Sequence, residues 1–248
     1  MRSLGFLRGT VMTTSKKRAA LISLALVLLL PPVGSFAKPR KRAALKQSDI
    51  RAAQHRLGEM GFGGGQGALI TFQKWEGLKV TGSLTRNDYE AIMNASAPQP
   101  RDDGYRHVEV DLDRQVLLLV DSEGAIKKIL PVSTGSGKRY KEKGMRGLAY
   151  TPRGRFRIYN KLSGWKKSPL GLLYYPNYFS DGLAIHGNPS VPHIPQSHGC
   201  VRIPMSSAAE MSKRLPVGTI VLIYDSESFV SAKGWAEEDK RKEAMSVR

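Results

Sequence analysis

The side chains that could carry out chemistry are concentrated between residues 185 and 202. The stretch contains His186-Gly187 near its start and Ser197-His198-Gly199-Cys200-Val201-Arg202 at its end. It therefore brings together two imidazoles, a thiol and a guanidinium. Cys200 is the only cysteine among 248 residues, which excludes an internal disulfide framework and a cysteine-rich zinc module. The thiol is either a small apolar core residue or a nucleophile.

A thiol becomes an effective nucleophile when a base favours the thiolate and a third group orients that base. We predict that His186 is the base, because it ends a different strand and can face Cys200 across a sheet. The backbone carbonyl of Gly187 could hold the second ring N–H and so fix the tautomer. His198, two residues from Cys200, remains the alternative base or a support for the site.

Four residues are predicted to contact the substrate during the reaction. Gly199 permits close approach, so its own amide and that of Cys200 are expected to converge on a developing oxyanion. Arg202 is always charged and can bind a carboxylate through two hydrogen bonds. Ser197 is predicted as a second substrate-binding residue.

Two other interpretations of Cys200 are weaker. A buried free cysteine is often inert, but such a residue normally has apolar neighbours, and Cys200 lies among polar ones. His186, His193, His198 and Cys200 could in principle bind zinc, yet their spacing fits no zinc motif. We therefore predict neither a metal nor another cofactor, and we interpret His193 as an ordinary loop residue.

The segment 105–225 must position these residues, and its pattern is that of short β-strands. Val108, Val110 and Leu112 alternate with polar residues, and further short apolar runs follow at regular spacing. This indicates a sandwich or barrel-like sheet, with a helix over 206–215. Long irregular loops are predicted at 133–150 and 160–182. The aromatic residues of the second loop suggest either a lid over a cleft or a satellite apolar cluster.

The first 37 residues have the layout of a secretory signal. Five basic residues and no acid precede or flank an apolar run over 19–30, and Ser35-Phe36-Ala37 supplies small residues for cleavage. An uncleaved membrane anchor is the alternative, although the run is short for a span of about 20 residues. We therefore expect an exported protein of the periplasm or cell wall, with only transient membrane contact through this segment.

The remaining segments are a basic tether over 38–46, a small helical unit over 47–95, a linker over 96–104 and a charged tail over 226–248. The formal charge is +18. For an exported protein, nucleic acid is an unexpected partner, and an anionic cell envelope is the more natural counter-charge. Hydrophobic residues make up 41% of the chain, which is enough for a core and excludes wholesale disorder.

Two families resemble parts of this sequence. The helical unit is similar to small three-helix peptidoglycan-binding domains in Gly61-Phe62, Gly77-Leu78-x-Val80-Thr81-Gly82 and Leu84-Thr85, although its stretch between the first two helices is compressed. The second resemblance is to the L,D-transpeptidase catalytic domain, of YkuD type. It is carried by His186-Gly187 with Ser197-His198-Gly199-Cys200-x-Arg202, and by Thr151-Pro152-x-Gly154-x-Phe156 upstream.

The second resemblance implies a mostly-β sandwich with one or two short helices and a cleft at Cys200. It also implies peptidoglycan stem peptides as partners, namely a donor tetrapeptide and an amine acceptor. Cys200 would attack the diamino acid carbonyl, release D-Ala and pass the acyl group to an amine, giving a 3–3 cross-link or attaching a protein. An L,D-carboxypeptidase or amidase of the same fold and a non-catalytic wall-binding protein are the alternatives. The sequence leaves the oligomeric state open.

Overall fold

The computed structural model describes residues 44–228. The predicted signal segment, most of the predicted tether and almost all of the predicted charged tail lie outside the described residues. Within 44–228, no helix combines the length and the apolar character needed to cross a membrane.

Three helices come first in the described chain: α1, Gln47–Glu59; α2, Gly65–Trp75; and α3, Arg86–Asn94. The Thr85 side chain accepts a hydrogen bond from the backbone N–H of Asp88 and caps α3. The N-cap residue of α1 is Lys46, whose backbone N–H donates to the Asp49 side chain at 3.0 Å.

The rest of the described chain is mainly β-structure with one further helix, α4, Met205–Arg214. Twelve strands occur between residues 107 and 224: β1, His107–Asp111; β2, Val116–Val120; β3, Ile126–Pro131; β4, Arg139–Glu142; β5, Met145–Leu148; β6, Gly154–Arg157; β7, Asn160–Lys161; β8, Trp165–Ser168; β9, Gly171–Ser180; β10, Leu183–Asn188; β11, Val201–Pro204; and β12, Ile220–Tyr224.

These strands form two main sheets and a hairpin. The first sheet has the order β3-β2-β1-β12-β6, and the second has the order β11-β10-β9-β7 with β8 paired to β9. Strands β4 and β5 pair with each other as a separate hairpin. The mostly-β class with few short helices, predicted from the sequence, is confirmed.

The first sheet is covered on both faces, which explains why all five residues of β2 are buried. Leu117 and Leu119 join the core between the two sheets, where Ile185, Val201 and Met211 also lie. Val116, Leu118 and Val120 face the other way and pack with residues of the three helices, among them Phe72. Strand alternation thus divides one apolar run between two cores.

Buried polar groups also tie the helices and the linker to the first sheet. The Lys74 ammonium of α2 donates to the backbone oxygens of Gln115 and Val132, at 3.2 and 2.8 Å. Its burial lowers the pKa of Lys74 to about 8. The fully buried Glu109 carboxylate accepts from the backbone N–H groups of Arg101 and Asp102. These contacts hold the segments before β1 against the strands.

The two long irregular loops predicted from the sequence are wrong in detail. Residues 139–148 form the β4–β5 hairpin, and 165–180 form β8 and β9, of which β9 is the longest strand. Strands β4 and β8 are charged and largely exposed, so they lack the apolar alternation that marks a strand. In β9 the signal is broken by Pro176, which lies near a register shift against β10.

Candidate active site

The pairing of β10 with β11 places the predicted site residues on one face of the second sheet. The two strands are parallel, with Ile185 opposite Val201 and His186 opposite Arg202. Ile185 and Val201 are buried in the core between the sheets. Because side chains alternate along a strand, His186 and Arg202 point to the opposite face, and Cys200 lies immediately before β11.

A cavity of about 320 Å³ lies on this face. Its floor includes His186, His198, Cys200 and Arg202. The wall is supplied by Tyr140 and Met145 of the β4–β5 hairpin and by residues 168–173, where β8 turns into β9. The two segments that the sequence marked as long loops therefore border the cavity as hairpins.

His186 is buried and held in one tautomer. Its Nδ1 lies 2.9 Å from the backbone oxygen of Gly187, and because that oxygen can only accept, Nδ1 carries the proton. The Nε2 atom is then left as the acceptor. Burial lowers the pKa of His186 to about 4, and the charge of Arg202 acts in the same direction. The ring is neutral at neutral pH and can take up a proton.

The Cys200 thiol is free and partly buried. Burial raises the pKa of Cys200, while a backbone hydrogen bond with Ala184 and the charge of Arg202 offset part of that rise. With a raised thiol pKa and a lowered His186 pKa, the resting pair is thiol and neutral imidazole. Attack by sulfur therefore requires a proton transfer to the base rather than a preformed ion pair.

The turn before Cys200 is fixed by Ser197 and Thr151. Ser197 Oγ donates to the Cys200 backbone oxygen at 2.6 Å and accepts from the Gly199 N–H at 3.0 Å. Thr151 Oγ1 donates to the Gly199 oxygen at 2.7 Å. Gly199 has a φ of 138°, and a Cβ there would lie 2.6 Å from the Tyr150 oxygen. Only glycine fits this turn without displacing the backbone.

These hydrogen bonds bear on two expectations from the sequence. The amide of Gly199 is already bonded to Ser197, so it does not face an oxyanion as predicted. Ser197, predicted to bind substrate, lines the cavity, and its hydroxyl also forms two hydrogen bonds inside the turn. The amide of Cys200 is the one remaining donor of the predicted pair.

His198 faces the β4–β5 hairpin. Its Nε2 lies 3.2 Å from Glu142 Oε2, and its ring packs edge-on against Tyr140 with centroids 4.7 Å apart. These contacts hold the His198 ring against the cavity wall. They favour a role for His198 in supporting the site over a role as the alternative base. The sequence offered no signal for Tyr140 or Glu142, because the pairing that brings the hairpin to the site is not local.

The Arg202 side chain lines the cavity without a hydrogen bond or ion pair to any of residues 44–228. Its backbone exchanges hydrogen bonds with Ser133 at 3.0 and 3.1 Å, which fixes the start of β11. Partial burial lowers the pKa of Arg202, and the nearby Cys200 opposes that shift. An unpaired guanidinium beside the thiol is suited to binding an anionic group.

No group of three or more His, Cys, Asp or Glu side chains among residues 44–228 is arranged to hold a metal ion. His193, which the sequence analysis considered as a possible zinc ligand, is exposed on the connection between β10 and β11. Among the described residues, those that line the cavity include a thiol, a neutral imidazole and a cation, a combination suited to nucleophilic chemistry.

Comparison with known proteins agrees with this geometry. Residues 105–223 match the family model of the YkuD L,D-transpeptidase catalytic domain. The crystal structure of the L,D-transpeptidase (residues 123–326) from Xylanimonas cellulosilytica is 36% identical, with a TM-score of 0.65, and the match covers 71% of this chain and 93% of that one.

This chain belongs to the YkuD family of L,D-transpeptidase catalytic domains. The L,D-transpeptidase from Stackebrandtia nassauensis is also similar, at 21% identity and a TM-score of 0.46, over 76% of this chain and 97% of that one. The comparison with curated protein sequences found no match. Residues 105–223, which match the catalytic domain, contain nearly all of both sheets and all the residues that line the cavity.

Proposed function

We propose that this protein is an L,D-transpeptidase that acts on tetrapeptide stems of peptidoglycan through a thioester on Cys200. The observation that carries this proposal is the arrangement of His186. Its Nδ1 is fixed by the Gly187 oxygen, so Nε2 is the acceptor on the same sheet face as the thiol and Arg202. The family resemblance supplies the substrate class, and this geometry supplies the chemistry.

In the first step, His186 Nε2 takes the thiol proton while Cys200 Sγ attacks the carbonyl of the diamino acid. The carbonyl π pair moves onto oxygen, and the backbone N–H of Cys200 can donate to it. When the tetrahedral intermediate collapses, the C–N bond breaks. His186 returns its proton to the amine of D-Ala, which leaves, and the acyl group remains on sulfur as a thioester.

In the second step, a stem amine attacks the thioester and His186 accepts the proton of the attacking nitrogen. The C–S bond then breaks and the thiol is restored with that proton. Arg202 is proposed to bind a carboxylate of the stem, because its guanidinium is unpaired within 44–228 and borders the cavity. Water in place of the amine would make the protein an L,D-carboxypeptidase, through the same intermediate.

The proposed location is outside the cytosol, in the periplasm or cell wall. It is supported by the signal-like sequence of residues 1–37 and by the basic composition, which suits an anionic envelope. The three helices remain the candidate wall-binding element, and their role in binding is part of this proposal. A wall-binding protein without activity is the remaining alternative.

The products formed from purified disaccharide-tetrapeptide test the proposal. The full chain and a Cys200→Ala variant are incubated with the substrate and analysed by mass spectrometry. Cross-linked dimer, formed only by the unchanged chain, supports the transpeptidase. Tripeptide and D-Ala without dimer would instead show a carboxypeptidase. Binding to isolated wall with no turnover would contradict both activities and favour the wall-binding protein.

A further inference from the structure

Tyr178 lies level with Cys200 across three neighbouring strands. Tyr178 of β9 pairs with Ala184 of β10. Because Ile185 pairs with Val201, the residue before it, Ala184, lies beside Cys200. Neighbouring strands are about 4.8 Å apart, so the Cα atoms of Tyr178 and Cys200 are roughly 10 Å apart. Only the methyl group of Ala184 stands between the two side chains.

Strand pairing places Tyr178 on the same face of the sheet as the cavity, beside the residues that line it. Its chain neighbour Phe179 is buried in the core between the sheets, and Ile185, the residue next to Ala184, is buried there as well. Ala184 therefore points to the opposite face, that of His186 and Arg202. Tyr178 lies on this face too, because residues paired directly across two strands share a face. The ring of Tyr159 contacts that of Tyr178 with centroids 6.3 Å apart and supports it from behind.

The Tyr178 hydroxyl is a donor that the described residues do not use. No residue within 44–228 forms a hydrogen bond with it. Burial raises the pKa of Tyr178, and the proximity of Cys200 raises it further, so the group is protonated wherever the site can react. No hydrogen bond joins this hydroxyl to the Cys200 sulfur, although the two groups are close enough to interact electrostatically.

One of the two predicted oxyanion donors is already engaged. The Gly199 amide, predicted to face the oxyanion, is bonded to Ser197, so the Cys200 amide remains alone. We propose that the Tyr178 hydroxyl donates a hydrogen bond to the carbonyl oxygen of the acyl group that Cys200 attacks. This inference rests on the proposed acyl transfer. As the S–C bond forms, the carbonyl π pair moves onto oxygen, and the tyrosine stabilises that charge while keeping its proton.

The test compares two reactions of Cys200 in a Tyr178→Phe variant of the full chain. Acylation by p-nitrophenyl acetate forms an oxyanion and releases p-nitrophenol, whereas alkylation by iodoacetamide displaces iodide and forms none. We expect acylation to slow about a hundredfold, as for loss of one oxyanion donor. We expect the alkylation rate and the thermal midpoint to stay within about twofold and about two degrees of the unchanged chain.

Tyr159→Phe is the matched control, because it removes a hydroxyl from the adjacent ring and should alter neither rate. Equal slowing of both reactions in Tyr178→Phe would overturn the proposal, because it would mean that the hydroxyl affects the reactivity of the thiol or the stability of the fold. An unchanged acylation rate would overturn it too, as would a wild-type chain that is alkylated but not acylated by the ester. A chain that is acylated by the ester but leaves tetrapeptide intact would refute the proposed function alone.

Discussion

At the scale of single residues, His186 sets the pH range over which Cys200 can react. The base must be neutral to accept the thiol proton, and burial lowers the pKa of His186 to about 4. We therefore predict that the acylation rate remains on its plateau as the pH falls through 6.5 and declines only near pH 4. The pH dependence of p-nitrophenol release under single-turnover conditions measures this.

The control for that profile is His198→Gln, which removes the other imidazole and keeps a hydrogen-bonding side chain toward Glu142. We expect the acid limb to remain near pH 4 in this variant and the rate to fall severalfold at most. An acid limb that vanishes in His198→Gln would assign the base to His198 and contradict the account.

The sequence is sufficient to identify the thiol and its base because both lie on strands that are adjacent in the sheet and close in the chain. His186, Gly187 and Arg202 fall where alternation and the parallel pairing require. The hydrogen bonds of the turn are different. Whether the Gly199 amide faces the cavity or Ser197 depends on a φ of 138°, and no pattern of residue types encodes that angle.

At the scale of secondary-structure elements, the buried Glu109 carboxylate fastens the linker to β1 and β12. It accepts hydrogen bonds from the backbones of Arg101 and Asp102 and from the hydroxyl of Tyr224 at 2.9 Å. Its Oε1 also lies 3.1 Å from His107 Nε2. The segment before β1 is thus held to the sheet by side-chain hydrogen bonds of Glu109 and His107.

We predict that Glu109→Gln lowers the free energy of unfolding by about 2–3 kcal/mol, since an amide cannot satisfy all these donors and the pair with His107 is lost. Urea unfolding measures the change. Glu90→Gln on the exposed side of α3 is the control and should stay within about 0.5 kcal/mol of the unchanged chain. A loss below about 0.5 kcal/mol for Glu109→Gln would show that the linker is held by other contacts.

The elements that border the cavity are those that sequence reasoning missed. Strands β4 and β8 read as charged loops because both faces are exposed and apolar alternation is absent. Each of these two strands is instead held in an extended conformation by the strand with which it pairs. Hairpins of this kind are stabilised by cross-strand contacts, such as the ring of Trp165 against that of Tyr174 at 4.9 Å. Such contacts follow from register, which single-strand patterns do not reveal.

At the scale of the whole described molecule, the helices and the first sheet share one apolar core. Phe72 is fully buried there together with Leu118 and Ile129 of the strands. The sequence divides these segments by composition and periodicity into a helical unit and a catalytic domain. In the structure, the helical unit and the first sheet pack against each other. The boundary predicted from the sequence does not reveal this shared core.

We predict that Phe72→Ala lowers the free energy of unfolding by about 3–5 kcal/mol and that helix and sheet signals are lost in one transition. Far-ultraviolet circular dichroism across a urea series follows the helices, and tryptophan fluorescence in a Trp75→Phe background follows the sheet through Trp165. Leu148→Ala, at an exposed position of β5, is the control and should change stability little. Separate transitions by the two probes would mean that the helices unfold independently of the sheet.

The central claim is that Cys200 carries the acyl group, and the mass of the intact protein tests it most directly. The full chain is mixed with disaccharide-tetrapeptide, quenched with acid within seconds and weighed, with Cys200→Ala as the control. The account predicts an adduct equal in mass to the substrate less D-Ala, located on Cys200 by peptide mapping and absent from the variant. Release of D-Ala by Cys200→Ala, or an adduct on another residue, would contradict it.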